Sequence, residues 1–340
     1  MLLSSLRYKI NTTNIATEPR DVRLGRRDFG KMLVVDRTTS KLFDSHVQEL
    51  DEWIKPGDVL VLNDSMRSPG VLKGRVDGTA MVDIVLVSLI GQDCCLASIS
   101  PMFFIKVGVS VVLTDGNILS VAELDVGPHK LTRLVSRRPL IESLNKVGFP
   151  ITSFFYSDFW SIEHYNPVYA SKLGSVESPM AGLHFSFELL NKLASQGVVI
   201  TFITLHVVGS WLPPLGKDTS TYAVYPEPFV VSSKTVASIT SAKKAGRKVF
   251  AVGSTVMRAL ETAALSGSLE EADSTSEIFI SPGHKFRVAD GYFTNFHQAK
   301  SGLMALDAAF CNKKLLLEAY NYAAQKNYMF FEFGDAVLYV

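Results

Sequence analysis

From Val71 to Glu123 the sequence consists of short Val-, Ile- and Leu-rich runs, and this stretch constrains the fold more than any other. The runs cover 80–90, 94–99, 107–113 and 117–123, and Gly-Gln-Asp, Ser-Pro and Asp-Gly-Asn stand between them. Apolar runs of this length, broken by turn residues, are typical of antiparallel strands joined by tight turns. The pattern therefore predicts a small antiparallel barrel or sandwich.

On both sides of this region the pattern changes to helices that alternate with strands. Before it, MLVVDR and KLFDSH predict a strand pair, and DVLVLND at 58–64 predicts a buried strand. After Pro150, helical spacing recurs between strand-like runs, at 186–196, 232–245, 255–266, 300–310 and 313–326. This alternation indicates α/β layers, but the βα units are too few for an eightfold barrel.

We therefore predict an α/β fold: an irregular (incomplete) α/β barrel with an inserted antiparallel β-barrel domain. The barrel-like catalytic domain would comprise residues 1–60 and 150–340, and the inserted domain residues 61–149. The polar segment GSLEEADSTS at 267–276 is expected to form a mobile loop.

Composition narrows the class of protein. The 340 residues carry a net charge of +1, which excludes a nucleic-acid binder held by bulk positive charge but not a local basic groove. Cys94, Cys95 and Cys311 form no disulfide framework and lack zinc-ligand spacing. No stretch approaches 18 apolar residues, and the first residues do not resemble a signal peptide. We expect a cytoplasmic protein with no metal site and no membrane contact.

Polar residues follow several predicted strands, at the points where chemistry collects in α/β folds. Others lie at the start of a predicted helix or in its first turns. These candidates are Asn63, Asp64, His184, His206, Gly253, Ser254, Thr255, Arg258, Glu261, Asn295, His297 and Lys300.

Each candidate also has a purely structural interpretation. A single histidine near a strand end is more often a hydrogen-bonded structural residue than a catalyst, and Asn63-Asp64 is typical of a turn or cap. The 253–255 segment could bind an anion on free amide groups, although it lacks a phosphate-loop pattern. Arg258 and Glu261 lie three residues apart and could simply pair.

Eight segments occur in a recognisable order and spacing between residues 26 and 336. They are RRDFGKMLVVDR (26–37), KPGDVLVLND (55–64), GSVESPMAGLHFS (174–186), TLHV (204–207), AVGSTVMRALE (251–261), IFISPG (278–283), TNFHQAKS (294–301) and FGDA (333–336). Together they resemble the S-adenosylmethionine:tRNA ribosyltransferase-isomerase family of queuosine biosynthesis. The fold that this resemblance implies is an irregular α/β barrel with an inserted β-barrel domain.

The resemblance also implies a reaction and its participants. The family's enzymes move the ribosyl part of S-adenosylmethionine onto the aminomethyl group of a modified deazaguanine in tRNA, and adenine and methionine leave. Such a reaction needs a base, a proton donor for adenine and a neutral acceptor amine. As a hypothesis, His184, His206 and His297 form the acid/base set, with no order among them. The residues expected to bind S-adenosylmethionine as a substrate are Asn63, Asp64, Gly253, Ser254, Thr255, Arg258, Glu261, Asn295 and Lys300.

The sequence departs from the family pattern where the acceptor is expected. Met66 and Val71 stand at two expected arginine positions, and an expected Arg-Pro-Ser-Lys-Arg run reads Ser-Pro-Met-Phe-Phe at 100–104. The loss of basic residues would weaken tRNA binding by roughly a kcal/mol each, while phenylalanine rings can still stack on unpaired bases. The residues expected at the acceptor are Arg67, Phe103, Phe104, Tyr225 and Glu227.

Three functions remain open at this point. The chain could carry the family's own activity on tRNA, or use the same S-adenosylmethionine chemistry on a small-molecule acceptor in a biosynthetic pathway. It could also be a non-catalytic protein that binds a nucleoside or a partner on this scaffold. The oligomeric state is left open as well.

Overall fold

The computed structural model describes residues 1–151, 160–209, 211–212, 216 and 218–340. Within these ranges the strands are β1 Lys31–Asp36, β2 Lys41–His46, β3 Val59–Asn63, β4 Ser65–Arg67, β5 Val71–Val76, β6 Ala80–Ile90, β7 Cys94–Ser100, β8 Ser110–Leu113, β9 Ile118–Val126, β10 Leu131–Ser136, β11 Lys172–Ser175, β12 Val199–Leu205, β13 Glu227–Val231, β14 Val249–Val252, β15 Ala272–Ser276, β16 Gly291–Asn295 and β17 Ala336–Tyr339.

Nine of these strands form one mixed sheet, in the order β15-β13-β12-β3-β14-β16-β17-β1-β2. The strands β12, β3, β14 and β16 are parallel to one another, whereas β13 and β17 run antiparallel to β12 and β16. Because β1 is parallel to β17, its amino end lies at the same edge as the carboxyl end of β16. Every residue of β3, β14, β16 and β17 is buried, as expected for strands covered on both faces.

The strands β5 to β10 close into a separate antiparallel barrel, in the order β10-β7-β6-β5-β8-β9. Alternate residues of β5 and β8 are buried, so that one side of each strand fills the barrel and the other faces outward. A short parallel pair, β4 with β11, connects the chain before the barrel to the chain after it. The predicted domain boundaries at 61 and 149 stay a prediction.

The α-helices in the described ranges are α1 Arg20–Leu24, α2 Leu140–Val147, α3 Phe187–Ser195, α4 Ser233–Lys244, α5 Gly253–Ala263, α6 Gly302–Cys311 and α7 Lys313–Gln325. Ser186 caps the amino end of α3, because its hydroxyl oxygen accepts a hydrogen bond from the Leu189 amide at 3.0 Å. No helix among the described residues is long and apolar enough to cross a membrane.

Two apolar cores cover the two faces of the large sheet. Along β3, for example, Val59 and Val61 belong to the core under α5, α6 and α7, whereas Leu60 and Leu62 belong to the core under α3. The predicted fold class is confirmed as a mixed α/β fold with a closed antiparallel β-barrel. The loop prediction for 267–276 is wrong for residues 272–276, because β15 pairs with β13 there, whereas 267–271 lie outside any helix or strand. As a largely exposed edge strand, β15 needs no apolar alternation to be stable.

Candidate functional site

The carboxyl ends of β3, β12, β14 and β16 meet at one edge of the large sheet, together with the amino ends of β13, β17 and β1. We call this the carboxyl edge. Sheets of this kind bind ligands beyond the carboxyl ends of their parallel strands. Seven of the sequence candidates lie where the chain leaves or enters the sheet at this edge: Asn63, Asp64, His206, Glu227, Gly253, Asn295 and His297.

Asn63 fastens three elements at the carboxyl edge. Its Nδ2 donates to the Leu205 carbonyl at 2.9 Å and to Thr255 Oγ1 at 3.2 Å. Its Oδ1 accepts from the amides of Ser65 at 3.1 Å and Leu205 at 3.0 Å. The side chain therefore hydrogen-bonds to the chain at the ends of β3 and β12 and to the first turn of α5.

The first turn of α5, at Gly253, Ser254 and Thr255, faces the segment that carries His184. Gly253 has φ +88°, and a Cβ placed there would stand 3.2 Å from the Cβ of Ala181. No side chain caps the amino end of this helix. Its first amide groups and the positive end of the helix dipole are therefore suited to an anionic group.

His184 is fully buried and bound to a buried arginine. Its Nε2 lies 2.8 Å from Nη2 of Arg20, and its ring packs edge-on against Phe293 with centroids 5.3 Å apart. Because a guanidinium can only donate, Nε2 must accept, and the ring proton is placed on Nδ1. Burial lowers the pKa of His184 well below its usual value, and Arg20 lowers it further. His184 is therefore a neutral imidazole with its proton on Nδ1, and it also hydrogen-bonds with the Asn295 side chain.

A buried ion pair lies next to this histidine. Arg67 Nη1 is 3.7 Å from Oε1 of Glu332, and it also donates to Ser178 Oγ at 2.9 Å. Arg20 donates to the Glu332 carbonyl at 3.0 Å, and Asn295 Nδ2 donates to the same oxygen at 3.1 Å. Burial raises the pKa of Glu332 to about 7, although Arg67 and Arg20 act in the opposite direction. A carboxyl group with this pKa can exchange a proton at neutral pH.

His206 lies beside Asp64 at the carboxyl end of β12. Burial lowers the pKa of His206, and the Asp64 carboxylate opposes this effect. Asp64 Oδ1 accepts a hydrogen bond from Thr204 Oγ1 at 2.6 Å. Gly174 packs so closely on the imidazole that a Cβ there would be 2.6 Å from its Cε1. The ring is thus held mainly by packing, and its buried Nδ1 has no hydrogen-bond partner among the described residues.

His297 forms a separate network with a buried aspartate. Its Nδ1 is 2.9 Å from Oδ2 of Asp307, which also accepts from the Tyr320 hydroxyl at 2.8 Å. A carboxylate accepts the proton of Nδ1, which leaves Nε2 as the acceptor nitrogen, 3.3 Å from Thr294 Oγ1. Asp307 therefore fixes both the orientation and the tautomer of His297.

Arg258 pairs with Glu227 and not with Glu261, so the pairing considered within α5 is wrong. Arg258 donates from Nη1 to Glu227 Oε2, and from Nη2 to the Ser276 carbonyl at 3.1 Å. Burial raises the pKa of Glu227, with Arg258 opposing. Glu261 is buried and accepts from the amides of Arg287 and Val288, each at 3.0 Å, so that it holds the 284–288 turn.

The remaining candidates lie on or near the surface. Lys300 is exposed, and its backbone has φ +64°. Phe103 and Phe104 lie in a short turn of the barrel with 74% and 37% of their surface exposed, and their ring centroids are 3.8 Å apart. Tyr225 packs against the barrel core, with its ring 6.2 Å from that of His129.

The carboxyl edge thus brings together some candidates and separates others. His184, Asn295 and Arg67 meet in one cluster with Arg20 and Glu332. His297 lies on the other face of the sheet, since its partner Tyr320 belongs to the core under α6 and α7, whereas His184 contacts Phe293 in the core under α3. Within the described ranges, no hydrogen bond or ring contact joins the three imidazoles to one another.

Sequence reasoning missed three residues of these networks: Arg20, Asp307 and Glu332. Arg20 stands shortly before the RRDFG segment, and Glu332 directly precedes FGDA. For Arg20 and Glu332, this proximity was the only sign of a role in the site, because the burial of a charged side chain cannot be seen in a single sequence. The residues that the structure describes contain no group of three His, Cys, Asp or Glu side chains arranged to hold a metal ion.

Comparisons with known proteins agree on one family. Residues 3–339 match the model of a family described as queuosine biosynthesis protein. A protein of Acidithiobacillus ferrooxidans named S-adenosylmethionine:tRNA ribosyltransferase-isomerase is 36% identical over 336 residues, which cover 97% of this chain and 96% of that protein. A protein of the same name from Acetivibrio thermocellus is 34% identical over 342 residues, which cover 99% of each chain.

A solved structure supports the same assignment. The crystal structure of S-adenosylmethionine tRNA ribosyltransferase from Thermotoga maritima matches with a TM-score of 0.56 and 26% sequence identity. The match covers 98% of this chain and 99% of that one. The resemblance inferred from the eight sequence segments is confirmed by these matches. The chain belongs to the queuosine biosynthesis protein family.

Proposed function

We propose that this chain transfers the ribosyl part of S-adenosylmethionine to an aminomethyl-deazaguanine in tRNA and releases adenine and methionine. The observation that carries the proposal is the full-length identity of 34–36% to proteins named for this reaction. The names of these relatives favour tRNA over the small-molecule acceptor. The fold shared with the Thermotoga maritima structure and the polar cluster at the carboxyl edge are both compatible with it.

The donor would bind at the carboxyl edge, beside the first turn of α5. The uncapped amides of that turn suit the carboxylate of the methionine part. Asn63 would act indirectly, by holding Thr255 and the end of β12 in place. Glu261 is occupied by the 284–288 turn, so we assign it no contact with the donor.

We assign different roles to the two histidines from their hydrogen-bond partners, a choice that the sequence left open. His184 would donate a hydrogen bond from Nδ1 to the departing adenine, because Arg20 occupies its Nε2. His297 would accept the proton from the ribosyl 5′ carbon, because Asp307 holds its Nδ1 and leaves Nε2 as the acceptor. Dyads in which a carboxylate orients an imidazole are well suited to proton abstraction.

The barrel would contribute to tRNA binding through aromatic contacts. Phe103 and Phe104 present adjacent exposed rings, and stacking of bases on such rings needs no particular sequence. Loss of basic residues in the same segment would make this binding less dependent on salt than binding by a basic groove.

The test is adenine and methionine release from S-adenosylmethionine by the purified chain, with and without tRNA that carries the aminomethyl-deazaguanine. Release only with that tRNA supports the proposal. Release with a small amine, or without an acceptor, favours the small-molecule alternative. No release together with tight nucleoside binding favours a non-catalytic protein.

Single alanine variants test the assignment of the histidines. His184→Ala and His297→Ala should each lower turnover by on the order of 100-fold or more. His46→Ala is the matched control, because His46 lies at the exposed end of β2, and it should leave turnover unchanged. Full turnover in both His184→Ala and His297→Ala would contradict the assignment.

A further inference from the structure

Asp64 is a half-buried carboxylate at the carboxyl edge that forms no ion pair with any described residue. Its Oδ1 accepts from Thr204 Oγ1 at 2.6 Å, whereas its Oδ2 has no hydrogen-bond partner in the described ranges. Other carboxylates of this region do have a cationic or histidine partner: Glu227 with Arg258, Glu332 with Arg67 and Asp307 with His297. Charges that are withdrawn from water are usually paired, so Asp64 is suited to a positively charged ligand.

The side chains next to Asp64 do not neutralise it. Burial lowers the pKa of His206, which lies beside Asp64 at the end of β12, and this imidazole is therefore neutral at pH 7. The Lys172 amide donates to the Asp64 carbonyl at 3.1 Å, but Lys172 is exposed and its ammonium forms no ion pair with this carboxylate. The negative charge of Asp64 is thus left for a ligand to compensate.

Two aromatic side chains lie beside Asp64 on the outer face of β12. Phe202 and Thr204 point to the same side of the sheet, because alternate residues of a strand share a face. The Tyr169 ring lies against the Phe202 ring, with centroids 5.6 Å apart, and Phe202 is 37% exposed. Burial raises the pKa of Tyr169, and Asp64 raises it further, as expected for a hydroxyl near a carboxylate. A carboxylate flanked by aromatic rings suits a cation that has no N–H groups to donate.

The proposed donor carries a cation of this kind. The sulfonium of S-adenosylmethionine has no proton to donate, whereas its ammonium has three and needs several acceptors. Asp64 Oδ2 offers one such acceptor, which favours the sulfonium. The preceding residue, Asn63, hydrogen-bonds to Thr255 at 3.2 Å, in the turn of α5 where the methionine carboxylate would bind. A sulfonium at Asp64 would therefore be next to the proposed carboxylate site.

We propose that Asp64 is the counter-ion of the donor's sulfonium, and that Tyr169 and Phe202 form the aromatic wall of the same subsite. This inference rests on the proposed function, since it requires S-adenosylmethionine as the donor. No bond forms or breaks at Asp64. Its charge selects the sulfonium compound over S-adenosylhomocysteine, the uncharged thioether that otherwise has the same groups.

The test measures the affinity of the full chain for S-adenosylmethionine and for S-adenosylhomocysteine by calorimetry at low salt. Both titrations are made with the chain alone and with the chain mixed with tRNA that carries unmodified guanine at the wobble position. The parent chain should prefer S-adenosylmethionine by on the order of 10-fold. Equal affinities of the parent chain for the two compounds would overturn the inference.

Asp64→Asn removes the charge but keeps an oxygen that accepts from Thr204. It should lower the affinity for S-adenosylmethionine by on the order of 10-fold and leave that for S-adenosylhomocysteine within about threefold, so that the preference disappears. Asp64→Glu keeps the charge and should retain part of the preference. The matched control is Asp125→Asn, because Asp125 is exposed on the barrel and its φ of +55° is one that asparagine also tolerates. This control should match the parent chain.

Urea unfolding shows whether each variant is folded. If Asp64→Asn does not fold, Tyr169→Leu decides, because loss of the aromatic ring should lower the preference for S-adenosylmethionine by roughly threefold. An unchanged preference in Tyr169→Leu would then contradict the inference.

The remaining outcomes separate the possible failures. If Asp64→Asn keeps the preference of the parent chain, the assignment of Asp64 is wrong while the proposed function stands. If Asp64→Asn weakens the binding of both compounds equally, Asp64 contacts the ammonium that they share, and the sulfonium assignment is overturned. If the parent chain binds neither compound, with or without tRNA, the proposed function fails first and the subsite fails with it.

Discussion

Replacement of Asn63 by alanine should destabilise the fold more than its single side chain suggests. The change leaves three buried backbone groups without their partner: the amide and carbonyl of Leu205 and the amide of Ser65. An unsatisfied buried group costs roughly 1–3 kcal/mol, and the three groups share one site, so their costs will not simply add. We expect the free energy of unfolding to fall by about 3 kcal/mol.

Urea unfolding of the purified chain, followed by intrinsic fluorescence, measures this loss. Thr255→Val is the matched control, because it removes only the 3.2 Å bond to Asn63 Nδ2 and leaves the three backbone bonds intact. It should cost about 1 kcal/mol. Asn63→Asp should lie between the two, because its carboxylate still accepts from both amides but has no proton for the Leu205 carbonyl.

The prediction is tested by the order of the three losses in the free energy of unfolding. If Asn63→Ala costs no more than Thr255→Val, then the backbone ends of β3 and β12 do not depend on this side chain. Water would then replace the side chain at little cost, and the description of Asn63 as the fastening residue of the carboxyl edge would be wrong.

Three further changes test other parts of the structure. Asp307→Ala leaves the Tyr320 hydroxyl and His297 Nδ1 without their acceptor. It should lower the free energy of unfolding, measured by urea titration, by about 2–4 kcal/mol and abolish turnover. An unchanged urea midpoint would contradict this prediction. Phe103→Ser should weaken tRNA binding by about 1–3 kcal/mol at fixed salt and leave S-adenosylmethionine binding unchanged, whereas the control Val107→Ser, at a residue that is also mostly exposed, should change neither. Equal effects of the two substitutions would exclude stacking. Because folding raises the pKa of Glu332 from 4.5 to about 7, its stabilising contribution is present below pH 4.5 and is lost as the pH rises to about 7. The parent chain should therefore lose on the order of 3 kcal/mol relative to Glu332→Gln across that interval, and parallel stability curves would exclude the shift.

Much of the fold could be predicted because its signals are local. The helix predicted at 186–196 is α3, Phe187–Ser195, and the strand predicted at 58–64 contains β3, Val59–Asn63. Apolar spacing and capping residues determine such elements within a few positions. β15 was missed because an exposed edge strand carries no apolar alternation, and its pairing with β13 is a tertiary contact.

The candidate site could be predicted only in part, and for a different reason. The rule that chemistry follows strand ends selected Asn63, His206 and Asn295 at the carboxyl edge. It could not select partners, because a partner is defined by the fold. Arg20 and His184 are 164 positions apart in the chain, and a single sequence contains no sign that these two side chains touch.

The three histidines show why partners matter more than residue type. Arg20 occupies Nε2 of His184 and leaves that ring as a buried donor, so it cannot serve as a base in the form that the structure holds. Asp307 occupies Nδ1 of His297 and produces the opposite arrangement, with an acceptor at Nε2. His206 has neither kind of partner and is held mainly by packing on Gly174. Residues that the sequence presents as equivalent therefore have different chemical capacities, and the buried charges beside them decide which proton each imidazole can give or take.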